Sequence, residues 1–246
     1  MRQAMMINTM NEIEKLTAKP GVKLYFWLAA LGPVLMVFLA EKIQTNDMIT
    51  LPSLNISFSI LHLFIMLVLP LFSFMAAADL FAGEWDKGSL FHARPVNRLE
   101  LFLSKNTAIG ILCFTQLVII WLSGTISIAV AEKEMIWSEV GSTLLSMFIS
   151  IIPLVAIICF ASFLSQCFKH SATALSFMIF GYVIMAGLPF IFPQTTNLFP
   201  TAYLDWHLQW HGNVNILWIS MSFIYLFSYS SLFFISGYYI FKTKEL

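Results

Sequence analysis

Six apolar stretches, each long enough to cross a lipid bilayer, constrain this chain more than any other feature of its sequence. A helix needs about 20 mostly apolar residues to span the roughly 30 Å hydrocarbon core. The stretches are residues 24–40, 56–78, 108–130, 144–164, 173–192 and 216–241. Because 59% of the 246 residues are apolar and only 11% are charged, a soluble globular fold is excluded. The sequence therefore predicts an all-α polytopic membrane protein with six transmembrane helices, in which residues 1–246 form a single transmembrane domain.

Basic residues are distributed unequally between the two sides of such a six-span arrangement. If both termini are cytoplasmic, the outer side holds only Lys42 and Lys133. The inner side then holds Arg2, Lys15, Lys19, Lys23, Lys87, Arg94, Arg98, Lys105, Lys169, Lys242 and Lys244. Lys and Arg concentrate in the cytoplasmic segments of membrane proteins. We therefore predict a multi-pass plasma-membrane protein with both its N and C termini in the cytoplasm.

Residues 1–23 precede the first span and form a cytoplasmic segment in this topology. Apolar residues recur in it every three or four positions, which places them on one face of a helix. These residues are Met6, Met10, Ile13 and Leu16. Pro20-Gly21 would end such a helix. The pattern favours an amphipathic helix at the inner membrane interface, and a frayed tail is the alternative.

The longest predicted cytoplasmic connection, residues 79–105, interleaves charged and aromatic side chains. Exposed aromatic residues with a charged rim are typical of protein-docking surfaces. A solvated loop whose aromatic rings rest on the membrane would carry the same residue types. Gly88 and Ser89 permit a short helix from Leu90 that would stop before Pro95. The residues alone leave both interpretations open.

This loop resembles the corresponding loop of the ABC-2 type ABC transporter permeases. In that family an acidic residue, a Gly-Thr/Ser-Leu step, a Pro-Val-Ser-Arg-like turn and a lysine follow the second span. The matching stretches here are Glu84-Trp-Asp-Lys-Gly-Ser-Leu90, Arg94-Pro-Val-Asn-Arg98 and Ser104-Lys105. Ser89 stands where Thr is commoner, and Asn97 stands where Ser is commoner. The six-helix layout with its N-terminal interfacial helix extends the resemblance over essentially the whole chain.

The resemblance implies the membrane subunit of an ATP-driven exporter, not an enzyme, with no catalytic residue and no cofactor bound by this chain. ATP and Mg²⁺ would bind a separate cytoplasmic subunit, and two permeases would work with two such subunits. A cytoplasmic coupling helix between spans two and three would contact the ATP-binding subunit. The coupling residues so implied are Glu84, Trp85, Gly88, Leu90, Phe91, Arg94 and Arg98. Permeases of this size and layout imply an amphiphilic substrate, such as a drug or an antimicrobial peptide to which the cell is immune or resistant.

Histidines near the predicted outer side form a second group of candidates. His207 and His211 would lie on one face of a helix, where metal ligands could converge. Leu208 occupies the position at which a zinc hydrolase needs a glutamate, so we predict no metal site. The surrounding tryptophans favour an anchor in the outer headgroups, and a role in an outer gate stays open. With His62 and Gln116, which lie inside spans, the two histidines are candidates for a substrate path or gate.

Two other functions are compatible with the residues. One is a membrane-embedded, metalloprotease-like enzyme, which the lack of a His-Glu motif within a span disfavours. The other is a non-transporting membrane anchor for a cytoplasmic ATPase, which the sequence does not separate from a true transporter. Ion-driven carriers keep ionisable groups inside their spans, and their scarcity here favours energy supplied by another subunit. A formal net charge of zero gives no basic surface for nucleic acid.

Overall fold

The chain folds as a bundle of long helices. The computed structural model describes residues 2–45, 56–86, 97–132, 137–210 and 215–243. Within these residues, six helices are long and apolar enough to span a membrane: Pro20–Ala40, Phe58–Ala82, Arg98–Ala131, Val140–Gln166, Ser171–Ile191 and Ile216–Thr243. The described ranges contain no strand. The predicted all-α fold with six spans is therefore confirmed.

The α-helices are numbered in chain order over the described residues. They are α1 (Arg2–Thr17), α2 (Pro20–Thr45), α3 (Ile56–Leu63), α4 (Leu69–Ala77), α5 (Gly83–Asp86), α6 (Arg98–Glu132), α7 (Trp137–Ile149), α8 (Ile151–Gln166), α9 (Ser171–Ile191) and α10 (Ile216–Thr243). After α9 the chain forms 3₁₀ turns at Pro193–Leu198, Pro200–Tyr203 and Trp206–Trp210. We name residues 193–210 the distal cap.

The N-terminal segment is helical, and a proline marks the start of the next helix. Helix α1 ends at Thr17, and α2 begins at Pro20, whose fixed φ and missing N–H suit a first helical turn. Leu16 is fully buried, whereas Met6 and Met10 are 69% and 58% exposed. The predicted apolar face of α1 is therefore only partly buried against the rest of the described residues. The location of α1 at a membrane interface stays a prediction.

Two π-helical segments interrupt the second span within residues 56–86. They are Phe64–Val68, between α3 and α4, and Ala78–Ala82, between α4 and α5. Pro70 has no N–H for the carbonyl of Met66, which lies four residues earlier. The hydroxyl of Tyr182, on α9, donates to that carbonyl. In the second segment, the ammonium of Lys105 donates to the carbonyl of Leu80 at 2.9 Å. Each π-helical segment thus receives a donor from a neighbouring helix.

The second and fourth spans form the centre of the bundle. In the most apolar part of each span, 67% of the second and 61% of the fourth is buried inside the protein. The corresponding fractions for the first, fifth and sixth spans are 22%, 17% and 11%. Helix α2 approaches the second span closely at Gly32, where an added Cβ atom would lie 2.5 Å from the buried ring of Phe64. The outer helices expose apolar side chains, as expected of surfaces that face lipid or another subunit.

Candidate functional site

Glu12 and Lys15 of α1, Glu84 of α5 and Lys105 of α6 form a closed ring of ion pairs, which we name the charge ring. Lys15 Nζ lies 2.7 Å from Glu12 Oε1 and 3.2 Å from Glu84 Oε1. Lys105 Nζ lies 2.6 Å from Glu84 Oε2 and 3.5 Å from Glu12 Oε2. Because each lysine contacts both glutamates, the ring is electrically balanced. We refer to this end of the helices as the charged end.

Lys105 is the most deeply buried member of the ring. Its side chain is 1% exposed, and that of Glu12 is 4% exposed. The ammonium donates to the carbonyl of Leu80 as well as to Glu84, and it lies 5.7 Å from the centre of the Phe81 ring. Removing one partner from a buried ion pair costs about 3–5 kcal/mol, because the other charge is left uncompensated. Lys105 therefore holds the end of the second span against the start of the third.

Lys15 closes the ring on its more open side, with 52% of its side chain exposed. Burial lowers the pKa of this ammonium, but the hydrogen bonds and charges of Glu12 and Glu84 outweigh burial and raise the pKa above its ordinary value of 10.5. Lys15 is therefore protonated at neutral pH. An ion pair as exposed as this contributes at most about 1 kcal/mol, so the ring depends mainly on Lys105.

Other contacts hold α1 at the charged end. Lys19 Nζ lies 2.8 Å from Oδ2 of Asp79, which belongs to the second π-helical segment. The hydroxyls of Thr9 and Thr107, on α1 and α6, are 3.3 Å apart. Helix α1 is thus packed against the third span, and the turn that follows α1 is joined to the second span by the Lys19–Asp79 ion pair.

The structure describes the two borders of the predicted coupling segment. Glu84 lies in α5 at the end of the second span, and Arg98 begins α6. Arg98 Nη1 donates to the carbonyl of Lys242 at 2.8 Å, which connects the start of α6 to the end of α10. The residues Gly88, Leu90, Phe91 and Arg94, and the side chain of Trp85, lie outside the described part of the chain. The coupling helix therefore stays a prediction.

Asn97 explains why the third helix begins at Arg98 and not near the predicted residue 108. Its side-chain Oδ1 accepts a hydrogen bond from the N–H of Leu99 at 3.1 Å, and its carbonyl accepts one from the N–H of Leu101 at 3.1 Å. This is the geometry of an N-cap, a position that serine fills equally well. The early start gives α6 the extra turns that place Lys105 in the charge ring.

At the opposite end, the distal cap packs aromatic residues into the protein. Tyr203 is 6% exposed, Trp206 is 1% exposed and His207 is fully buried. Anchoring in the headgroups needs exposed rings, so the predicted interfacial role is wrong for Trp206. Burial raises the pKa of Tyr203 above its ordinary value of 10.0, and its hydroxyl donates to the carbonyl of Asn197 at 3.2 Å.

His207 packs against His62 of the second span. The centres of the two rings are 5.7 Å apart, and His207 Nδ1 lies 3.2 Å from the carbonyl oxygen of Leu204. Nδ1 of His62 is buried and has no hydrogen-bond partner among the residues described. Those residues include no group of three His, Cys, Asp or Glu placed to hold a metal ion. His211 lies outside them, so its predicted pairing with His207 stays a prediction.

Asp205 and Gln116 are further polar groups with incomplete hydrogen bonding. Burial raises the pKa of Asp205 above its ordinary value of 3.8, and the nearby His62 opposes this shift. Gln116, on α6, is fully buried, and neither amide atom has a hydrogen-bond partner within the described ranges. An unsatisfied buried polar group costs about 1–3 kcal/mol, so Gln116 lowers the free energy of unfolding.

The sequence alone does not reveal Glu12 and Lys15 as part of this site. One signal was present: Lys105 follows Leu101-Phe-Leu103 closely, and a cation within an apolar helix needs a partner. Its partners lie on α1 and at the end of the second span. One sequence cannot show which distant carboxylates those are.

A family model described as ABC-2 family transporter protein matches residues 9–185. The matched region contains all members of the charge ring and runs from α1 into α9. No curated protein matches the chain. The match covers more than half of the 246 residues and agrees with the resemblance seen in the loop after the second span. The chain therefore belongs to the ABC-2 family of transporter proteins.

Proposed function

We propose that this chain belongs to an ATP-driven exporter in which it pairs with a second permease and two separate ATP-binding subunits. Family membership establishes a membrane subunit of an ABC transporter and implies a cytoplasmic ATP-binding partner. The proposal adds the export direction, the second permease, and ATP and Mg²⁺ bound on the partner.

The charge ring is the observation that carries the coupling mechanism. The predicted coupling segment leaves the bundle just after Glu84 and returns at Arg98. Glu84 is held by Lys105 at 2.6 Å, and Arg98 is held by the carbonyl of Lys242 at 2.8 Å. Because both borders are fixed to helices, a displacement of the segment acts on the second, third and sixth spans together.

A partner that closes on ATP and opens after hydrolysis supplies such a displacement. Binding of ATP favours one of two arrangements of the partner subunits, and a segment seated on them shares that preference. The second π-helical segment, Ala78–Ala82, ends two residues before Glu84. Because π-helical turns are sites where a helix can change its hydrogen bonding, we place the adjustable part of the second span there.

In this proposal the charge ring and both termini face the cytoplasm, and the distal cap faces outward. The excess of Lys and Arg on the same side as the ring supports this orientation. The substrate is an amphiphile taken from the bilayer, such as a drug or an antimicrobial peptide, which the short outer connections favour. Gln116 and His62 are its candidate contacts, and His207 and His211 are candidates for the gate.

Co-purification tests the proposed docking surface. We expect tagged full-length protein, extracted from native membranes in mild detergent, to retain a roughly stoichiometric ATP-binding subunit, identified by mass spectrometry. The variant Leu90→Ala/Phe91→Ala should lower that recovery at least about tenfold, as loss of about 1.4 kcal/mol of binding free energy would. Glu84 is left unchanged in this test because it also holds Lys105.

Phe190→Ala is the matched control, because Phe190 is 90% exposed and lies at the far end of α9. This variant should recover as much ATP-binding subunit as the unchanged protein. Full recovery with Leu90→Ala/Phe91→Ala would overturn the docking surface. Absence of any ATP-binding subunit from the unchanged protein would overturn the transporter proposal.

A further inference from the structure

Lys105 faces two carboxylates in the charge ring and uses them unequally. Its Nζ lies 2.6 Å from Glu84 Oε2 but 3.5 Å from Glu12 Oε2. Glu12 Oε1 accepts a hydrogen bond from Lys15 at 2.7 Å. Glu12 Oε2 is buried and accepts no hydrogen bond from any residue that the structure describes. A buried acceptor without a hydrogen bond is unfavourable, yet this one lies directly beside an ammonium group.

We infer that Glu12 is an alternative hydrogen-bond acceptor for Lys105. The Lys105 ammonium donates to Glu12 when Glu84 moves away with the coupling segment. This inference rests on the proposed function. A shift of about 1 Å by Nζ would bring it within hydrogen-bonding distance of Glu12 Oε2, and the flexible lysine stem allows such a shift. The exchange breaks the hydrogen bond from Lys105 to Glu84 and forms one to Glu12. No proton is transferred.

The exchange removes an energetic obstacle to coupling. If Glu84 were the sole carboxylate near Lys105, drawing it outward would leave a buried charge without a counter-charge, which is strongly unfavourable. With Glu12 beside it, the ammonium keeps a carboxylate in both arrangements. Glu12 is therefore a positioning residue that acts through Lys105, and it makes α1 part of the transport cycle.

A thermal-unfolding series on the full chain in lipid nanodiscs tests the exchange without the partner subunit. Glu84→Gln alone should lower the unfolding midpoint modestly, because the Lys105 ammonium then pairs with Glu12. The double variant Glu12→Gln/Glu84→Gln should lose at least about 5 °C more than the sum of the two single losses. Adding Lys105→Met should remove this excess, because no buried charge then needs a carboxylate.

Additive losses in the double variant would overturn the inference, because Glu12 would not be replacing Glu84. If the double variant does not fold, recovery of folded protein on adding Lys105→Met supports the inference. Failure of that triple variant to fold contradicts it.

A coupling measurement separates this inference from the proposed function. In reconstituted complexes, Glu12→Gln should leave the amount of bound ATP-binding subunit unchanged and lower ATP-dependent substrate export at least about fivefold. Glu14→Gln, on the same helix with an exposed side chain, is the matched control and should change neither. Normal export by Glu12→Gln would overturn the inference while leaving the transporter proposal intact. Absence of any bound ATP-binding subunit would overturn the transporter proposal, and the nanodisc series would still test the exchange.

Discussion

Asp205 shows how one residue can set the pH response of the distal cap. Burial raises the pKa of its carboxyl above 3.8 in the folded protein, although His62 lies close enough to oppose the shift. A group whose folded pKa is raised contributes its full stability below the unfolded pKa and loses that contribution as pH rises through the folded pKa. Above its folded pKa, the ionised carboxylate is therefore a cost to the fold.

The variant Asp205→Asn keeps the side-chain shape and removes the charge. We expect it to raise the thermal-unfolding midpoint at pH 7 by about 1–3 °C, and the advantage should shrink as pH falls toward 3.8. Gln209→Glu, which places a carboxylate at an exposed position of the same cap, is the control and should show little pH-dependent difference. An advantage for Asp205→Asn that is the same at every pH would contradict this account.

Single residues also mark the limit of what the sequence predicts. Asn97 could be identified as a turn residue next to Arg98, because capping depends on neighbours in the chain. The partners of Lys105 and the contact of His62 with His207 could not be identified, because they join residues from distant parts of the chain. Contacts between neighbours in the chain, such as a helix cap, can thus be predicted from the sequence. Contacts between distant residues cannot.

The second span illustrates the same limit for elements. Its apolar content predicts a helix over residues 56–78, and the structure confirms a span there. The π-helical segments cannot be predicted from apolar content, because each receives a hydrogen-bond donor from another helix. Pro70 leaves the carbonyl of Met66 without its usual helical donor, and Tyr182 supplies one.

The variant Tyr182→Phe should destabilise the second span by leaving that carbonyl unsatisfied. We expect a loss of about 1–3 kcal/mol in the free energy of unfolding, measured by denaturation in lipid nanodiscs. Tyr239→Phe, a tyrosine that is 66% exposed on α10, is the matched control and should have little effect. Pro70→Ala restores an N–H, so it should reduce the cost of Tyr182→Phe. Equal losses for the two tyrosine variants would refute this role.

For the whole molecule, the spans were predictable because the thickness of a bilayer is a single physical requirement. The second and fourth spans are the most apolar as well as the most buried, but apolar content alone does not show which spans contact each other. The orientation of the bundle stays a prediction from the distribution of Lys and Arg.

Cysteine labelling tests this orientation. Cys167 is exposed in the turn between α8 and α9, at the charged end, whereas Cys113 and Cys159 are buried. A membrane-impermeant maleimide applied to intact cells should leave Cys167 unlabelled and should label it after permeabilisation. Gln209→Cys, made together with Cys167→Ser, should be labelled in intact cells because Gln209 is exposed in the distal cap. The reverse pattern would show that the bundle has the opposite orientation.

The order of the charge ring along the chain has a consequence for biosynthesis. Both carboxylates, Glu12 and Glu84, leave the ribosome before Lys105 does. N-terminal parts of a chain fold first during synthesis. Lys105 therefore reaches the membrane edge when its counter-charges are already present, and α1 with the first three spans can assemble before the second half of the chain exists. Replacing both Glu12 and Glu84 would therefore show as a defect in membrane insertion and protein yield, separate from any defect in transport.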